Sequence, residues 1–306
     1  MPVFIPERDI PRLSGKIILI TGGTSGIGRE TVLALARHDP SHIYFTGRNA
    51  TAATAIISQA RDLNTTSPPQ LTFIPLDLAS SREHIRAALV SYFHSSRLDI
   101  LIANAGIMGT PPGLTEEGWE LQWGTNYMGH TIMLHLLRPL LLRTASADGA
   151  DVRFVCVSSL GHKSAPAGGV QFDNLKSPDA VKGEFARYGQ SKLAQILLCR
   201  AMARHHPEIV SLSVHPGLVK TGLLGSTKQS ALKLLFQATP FMQKSAKEGA
   251  YNTLWAATSD RDGLVNGAYL EPVGRMKGAS KISESDELAE RLWQWTENEL
   301  ERLELL

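Results

Sequence analysis

Cysteine is nearly absent: Cys156 and Cys199 are the only two in 306 residues. That excludes a disulfide framework, and their spacing suits no zinc site. Both are expected as small core residues in a reducing compartment. A dominant charge is also missing, since 31 basic residues face 29 acidic ones for a net of +2. No basic run interleaves with aromatics, which argues against a nucleic-acid partner. No apolar stretch approaches the ~18 residues of a spanning helix. The N-terminus, "MPVFIPERDIPRLSGK", lacks the basic and apolar regions of a signal peptide. The expectation is a cytoplasmic protein with no transmembrane segment, no metal site and no internal repeat.

What is present points to one architecture. With 43% hydrophobic residues the chain can bury a sizeable core. Strand-like runs recur at 16–21, 42–47, 71–77, 99–105, 152–159, 210–217 and 267–272. Helical spacing fills 26–38, 50–62, 80–94, 116–143, 188–205 and 245–258. The early strands are continuous apolar runs rather than alternating ones, as in a parallel sheet covered on both faces. The alternation predicts an α/β fold: a single-domain, doubly wound parallel sheet of about seven strands over 1–306, with helices on both faces.

The stretch "TGGTSGIG" (21–28) holds four glycines between the first strand and the first helix. Such a turn lets backbone lie against the pyrophosphate of a dinucleotide, and the helix N-terminus supplies N–H groups and a positive dipole end. Gly22, Thr24, Ser25, Gly26, Ile27 and Gly28 are therefore candidate cofactor contacts. After the second strand, "FTGRN" carries no acid to bind a ribose 2′-OH. Arg48, with Asn49 beside it, can instead offer donors to a 2′-phosphate, which favours NADP(H).

The Thr-Gly-x-x-x-Gly-x-Gly pattern resembles the short-chain dehydrogenase/reductase family. "DL" (Asp77, Leu78), "NAG" (Asn104, Ala105, Gly106), "TN" (Thr125, Asn126), "SS" (Ser158, Ser159), "YGQSK" (188–192) and "HPGLVKT" (215–221) follow in that family's order, over about residues 14–272. "NYMGH" and "VSSLGHKS" are most similar to its retinol-dehydrogenase-like group. The chain departs from many NADP-using relatives in carrying Ser25 where they have a second basic residue. The 29 positions from Ser159 to Tyr188 also exceed the spacing of compact members.

The resemblance implies that Asp77 and Leu78 meet the adenine, and that Pro216, Gly217, Val219 and Thr221 border the carboxamide. The alternative is that Asp77 caps the next helix, in competition with Ser80. Tyr188 and Lys192 are four apart, on one face of a helix. An ammonium near a phenol favours the phenolate and is expected to lower its pKa, making Tyr188 a general acid/base. Ser159 would hold the substrate oxygen, and by resemblance Asn126 would anchor a water that connects to Lys192. The implied reaction interconverts a carbonyl and an alcohol on a small molecule. Residues near 222–244, rich in Leu and Phe, would cover an apolar substrate, or else form a buried helix or an oligomer contact. The tail near 285–303, capped by Ser285, reads as an amphipathic helix that packs on the body, joins subunits of a homo-oligomer or touches a membrane. His162 and His215 are expected to be structural. A non-catalytic NADP-binding redox sensor would use the same fold but has no need of serine, tyrosine and lysine together. An epimerase or dehydratase with bound NAD is disfavoured by Arg48.

Overall fold

In the computed structural model, which describes residues 3–63, 69–219 and 243–304, the apolar runs become seven strands: β1 (Ile17–Ile20), β2 (His42–Gly47), β3 (Gln70–Pro75), β4 (Ile100–Ala103), β5 (Val152–Val157), β6 (Ile209–Val214) and β7 (Tyr269–Leu270). They form one sheet in the order β3-β2-β1-β4-β5-β6-β7. Every pairing is parallel. Central strands meet water on neither face. Along β1, Ile17 and Leu19 enter one core while Ile18 and Ile20 enter the other. That is why these runs are apolar at every position.

Helices fill both faces. On one side lie α2 (Gly26–Ala36), α3 (Ala50–Arg61) and α8 (Ala246–Thr258). On the other lie α4 (Arg82–Tyr92), α6 (Gly129–Ala145) and α7 (Glu184–His205). The short α1 (Pro6–Asp9) precedes β1, and α5 (Leu121–Trp123) precedes α6. No helix among the described residues is long and apolar enough to cross a membrane.

Several expected boundaries move, each for a local reason. The helix expected from 116 begins at Leu121, where the Glu120 carboxylate accepts a hydrogen bond from Trp123 N at 2.8 Å. It then passes through a π-helical turn, Gly124–Met128, before α6. Neither Asp77 nor Ser80 caps α4. Ser81 does, its Oγ accepting from His84 N at 3.3 Å. The helix expected from 188 starts at Glu184. From Arg187 to Cys199 it is buried without a break, because the sheet covers one side and α9 (Asp286–Arg302) the other.

Of the three fates open to the C-terminal helix, packing on the body is the one observed. Ala289, Leu292, Trp293 and Leu300 join the core beneath α6 and α7. Trp295 meets Trp119 and Trp123 edge-on, and Tyr127 Oη lies 2.7 Å from Thr296 Oγ1. Asp286 pairs with Arg200 and Arg204, and Glu297 with Arg138. Leu292→Ala should therefore cost about 2–5 kcal/mol in urea unfolding, as for a fully buried leucine. Val90→Ala, at a 72% exposed position, should stay within about 0.5 kcal/mol.

Candidate active site

The strand order reverses between β1 and β4, which opens a crevice beyond their carboxyl ends. The glycine turn borders it. Gly22 has φ +67, and a Cβ there would lie 2.9 Å from the Ala105 Cα. A Cβ on Gly28 would run into the Gly22 carbonyl and sit 2.5 Å from Asn104 Nδ2. Backbone packs on backbone here, so only glycine fits at both positions. Helix α2 starts at Gly26, and Ser25 at its N-cap makes no side-chain capping bond. The first-turn amides and the positive helix end are thus left for an anion. Ile27 and Val219 approach each other over Gly249 at the start of α8.

A buried chain of hydrogen bonds ties this turn to the rest. Asn104 Nδ2 donates to Thr21 O at 2.8 Å, and Thr21 Oγ1 accepts from Asn104 N and Ala105 N, both at 2.9 Å. The other side of Thr21 Oγ1 meets His130 Nε2 at 2.7 Å, while His130 Nδ1 lies 2.8 Å from Asn126 O. A carbonyl only accepts, so His130 carries its proton on Nδ1 and takes one from Thr21 at Nε2. Burial holds its pKa down at about 4.

At the end of β2, Thr24 occupies the space above Gly47: a Cβ on that glycine would lie 2.5 Å from Thr24 Oγ1. Arg48 is 70% exposed and pairs with Asp77 at 3.4 Å, a surface contact worth about 0–1 kcal/mol. Asp77 also accepts from Ala79 N at 3.0 Å. The Asn49 side chain caps α3, accepting from Ala52 N at 2.9 Å. Leu78 is buried against Gly129. Pro216 and Gly217 follow β6, and Val219 bridges to Lys244. Thr221 and the stretch 220–242, hence nearly all of the expected substrate-covering segment, lie outside the described residues.

Tyr188, Ser159 and Lys192 converge at the ends of β5 and α7. Ser159 Oγ accepts from Gly161 N at 3.0 Å and faces the Tyr188 phenol. Ser158 is engaged elsewhere, donating to Lys192 O at 2.8 Å. Lys192 Nζ donates to Val157 O at 2.8 Å and to Gln195 Oε1 at 3.0 Å, and stands 5.7 Å from the Tyr188 ring centroid. The expected depression of the phenol is not found. Burial pushes Tyr188 up to about 12, and only Ser159 opposes it. The ammonium is turned toward Val157 and Gln195, and burial brings Lys192 itself down to about 8. Tyr188 is therefore protonated at neutral pH, the form that donates a proton.

Asn126 sits in the π turn and clamps Ile107 through both backbone groups, accepting from N at 2.8 Å and donating to O at 3.0 Å. His162 Nδ1 lies 2.7 Å from Ser159 O, and His215 Nδ1 accepts from Leu160 N at 3.3 Å, so both histidines brace the serine turn. Burial holds His215 at about 4. Sequence reasoning missed three buried residues. Gln122 accepts from Gly109 N and donates to Glu184 O. Arg187 donates to Thr110 O and Val181 O while pairing with Glu120 at 3.2 Å. Together these two tie the segments flanking the site. The third, Gln195, connects Lys192 to Asn126 O, to which its Nε2 donates at 2.9 Å. Its signal was a polar residue one helical turn from Lys192, on a helix with no exposed face in that region.

The family model described as short chain dehydrogenase matches residues 16–171. An uncharacterised oxidoreductase of Schizosaccharomyces pombe is 38% identical over 98% of this chain and 89% of its own length. A short-chain dehydrogenase/reductase of Aspergillus calidoustus is 36% identical over 97% of each chain. An uncharacterised protein from Mycobacterium paratuberculosis has a similar crystal structure, with TM-score 0.74, 26% identity and 97% of each chain covered. Two further structures share the fold. A 3-ketoacyl-(acyl-carrier-protein) reductase from Brucella melitensis holds NADH, with TM-score 0.62, 20% identity and 86% and 98% of the chains covered. A short chain dehydrogenase from Shigella flexneri holds NADP, with TM-score 0.63, 22% identity and 85% and 98% covered.

The two depressed imidazoles fix a pH dependence. His130 and His215 bind protons near pH 6.5 when unfolded and only near 4 when folded. The unfolded chain thus holds more protons across that window, and stability falls as pH drops from 6.5 toward 4, by up to about 1.4 kcal/mol per unit for each group. His130→Gln should flatten this slope by about one group's share, read from urea unfolding across that range.

Proposed function

The chain belongs to the short-chain dehydrogenase/reductase family of oxidoreductases, and on that premise we propose that it interconverts a ketone or aldehyde and an alcohol on an apolar small molecule with NADP(H). The observation that carries this reading is the meeting of Ser159, Tyr188 and Lys192 beside the glycine turn. The turn suits a dinucleotide: a Cβ on Gly22 or Gly28 would fill it, and the uncapped start of α2 suits its phosphates. Such a cofactor, when bound, supplies hydride chemistry. Gly22, Thr24, Ser25, Gly26, Ile27 and Gly28 would cradle it, with Asn104, Ala105 and Gly106 along the crevice wall. Asp77 and Leu78 would border the adenine, and Pro216, Gly217, Val219 and Thr221 the carboxamide.

Tyr188 donates its phenolic proton to the carbonyl oxygen in reduction and takes it back in oxidation. Ser159 holds that oxygen, and Lys192, its ammonium 5.7 Å from the phenol ring centroid, would contact the nicotinamide ribose. Asn126 orders the segment after β4 that walls the site. We read 1–306 as one dinucleotide-binding domain whose 222–244 segment covers the substrate, and we place it with the retinol-dehydrogenase-like group on "NYMGH" and "VSSLGHKS".

Preference for the phosphorylated cofactor rests on the end of β2. Gly47 leaves no carboxylate there, Thr24 presents a hydroxyl, and Arg48, only weakly paired with Asp77, would offer its guanidinium to a 2′-phosphate. Titration of the purified protein with NADPH and NADH, followed by nicotinamide fluorescence, should show clear preference for NADPH. Arg48→Ala should abolish that preference, at a loss of about tenfold or more for one charge-assisted phosphate contact. Tighter binding of NADH would refute the assignment.

A further inference from the structure

Lys192 is 3% exposed, and among the described residues no carboxylate pairs with it. Its ammonium is held by two neutral oxygens, the Val157 carbonyl at 2.8 Å and the Gln195 carboxamide at 3.0 Å. Gln195 is itself 1% exposed, and both ends of its amide are engaged, since Nε2 donates to the Asn126 carbonyl at 2.9 Å. That carbonyl receives a second side-chain donor, His130 Nδ1, at 2.8 Å. We propose that Gln195 is a positioning residue for Lys192, a direct side-chain bridge from the Asn126 backbone to the ammonium in the place where a connecting water is otherwise expected. The proposal deepens the reductase reading and rests on it for its catalytic meaning. A carboxamide, unlike a water, fixes the direction of its dipole: with Nε2 committed to a carbonyl, Oε1 must face Lys192.

The consequence is electrostatic. Among the described residues Oε1 is the only side-chain acceptor on the ammonium, and in a dry interior such a dipole stabilises the charged form strongly. Among the described residues, three titratable neighbours face Lys192. Cys156 comes from β5, His130 from α6, and Tyr188 from the same helix. Burial keeps His130 and Tyr188 neutral near pH 7. Removing Oε1 should push the lysine further down, and replacing the amide with a carboxylate should push it up. A polar residue that merely fills the core would do neither.

The test uses the full chain labelled with 13C-lysine, without cofactor or substrate, and follows the Lys192 Cε resonance against pH. The wild-type midpoint is expected at about 8. Gln195→Met, close in volume, should lower it by about one unit or more, and Gln195→Glu should raise it by a similar amount. With cofactor and an apolar ketone, the basic limb of kcat should move in the same two directions while KM changes little. Should Gln195→Met fail to fold, the upward shift in Gln195→Glu carries the test alone. Equal midpoints in all three proteins would overturn the role given to Gln195. Because the titration needs no turnover, a failure of the reductase reading would leave these midpoints unchanged.

Discussion

Burying an ammonium with no carboxylate beside it costs several kcal/mol unless dipoles replace the lost water. Lys192 is buried in that way, and much of the carboxyl edge of the sheet is organised by the need to hold it. Strand β5 ends where the Val157 carbonyl can accept from Nζ. Ser158, the next residue, fastens the Lys192 backbone to the same strand end. Helix α7 contributes Gln195 one turn further on, and the π turn before α6 provides the carbonyl that Gln195 needs. π turns recur where a helix must aim a group off its regular path, and Asn126 serves three elements at once.

The same burial sets the protonation states. Removed from water, the phenol of Tyr188 keeps its proton and the lysine holds its own only up to about pH 8. Two groups whose ordinary values nearly coincide are thus separated, the lysine giving up its proton well before the phenol does. The histidines around them, His130, His162 and His215, are held neutral by the same dryness and act as braces rather than charges. Helix α9 helps keep the region dry by covering the outer side of α7.

Much of this was legible from the sequence. The continuous apolar runs gave the parallel sheet because β1 and β5 are buried on both faces. The glycine turn was readable because only close backbone approach accounts for Gly22 and Gly28. Tyr188 and Lys192 stood out because "YGQSK" follows the glycine turn and the other motifs in the order of the resembled family; their spacing alone is common on helices. Gln195, Gln122 and Arg187 were not, because their partners are backbone atoms brought near from distant parts of the chain, and no local pattern announces them. The phenol's pKa was misjudged for a related reason. Spacing places an ammonium near a phenol but does not say that a carbonyl and an amide turn it aside. Likewise, Asp77 and Ser80 were the caps the sequence suggested, and the path of the chain after β3 gives the role to Ser81 instead.

The most direct measurement is the rate of NADPH oxidation with a panel of apolar ketones and aldehydes, for the wild type and for Tyr188→Phe. Removing one buried hydroxyl leaves the ring packing intact. The expected result is a loss of at least ~100-fold in kcat, the usual worth of a positioned general acid, with NADPH binding retained. Equal rates in the two proteins would contradict the assignment of Tyr188 as the proton donor, and with it the catalytic meaning of the buried lysine.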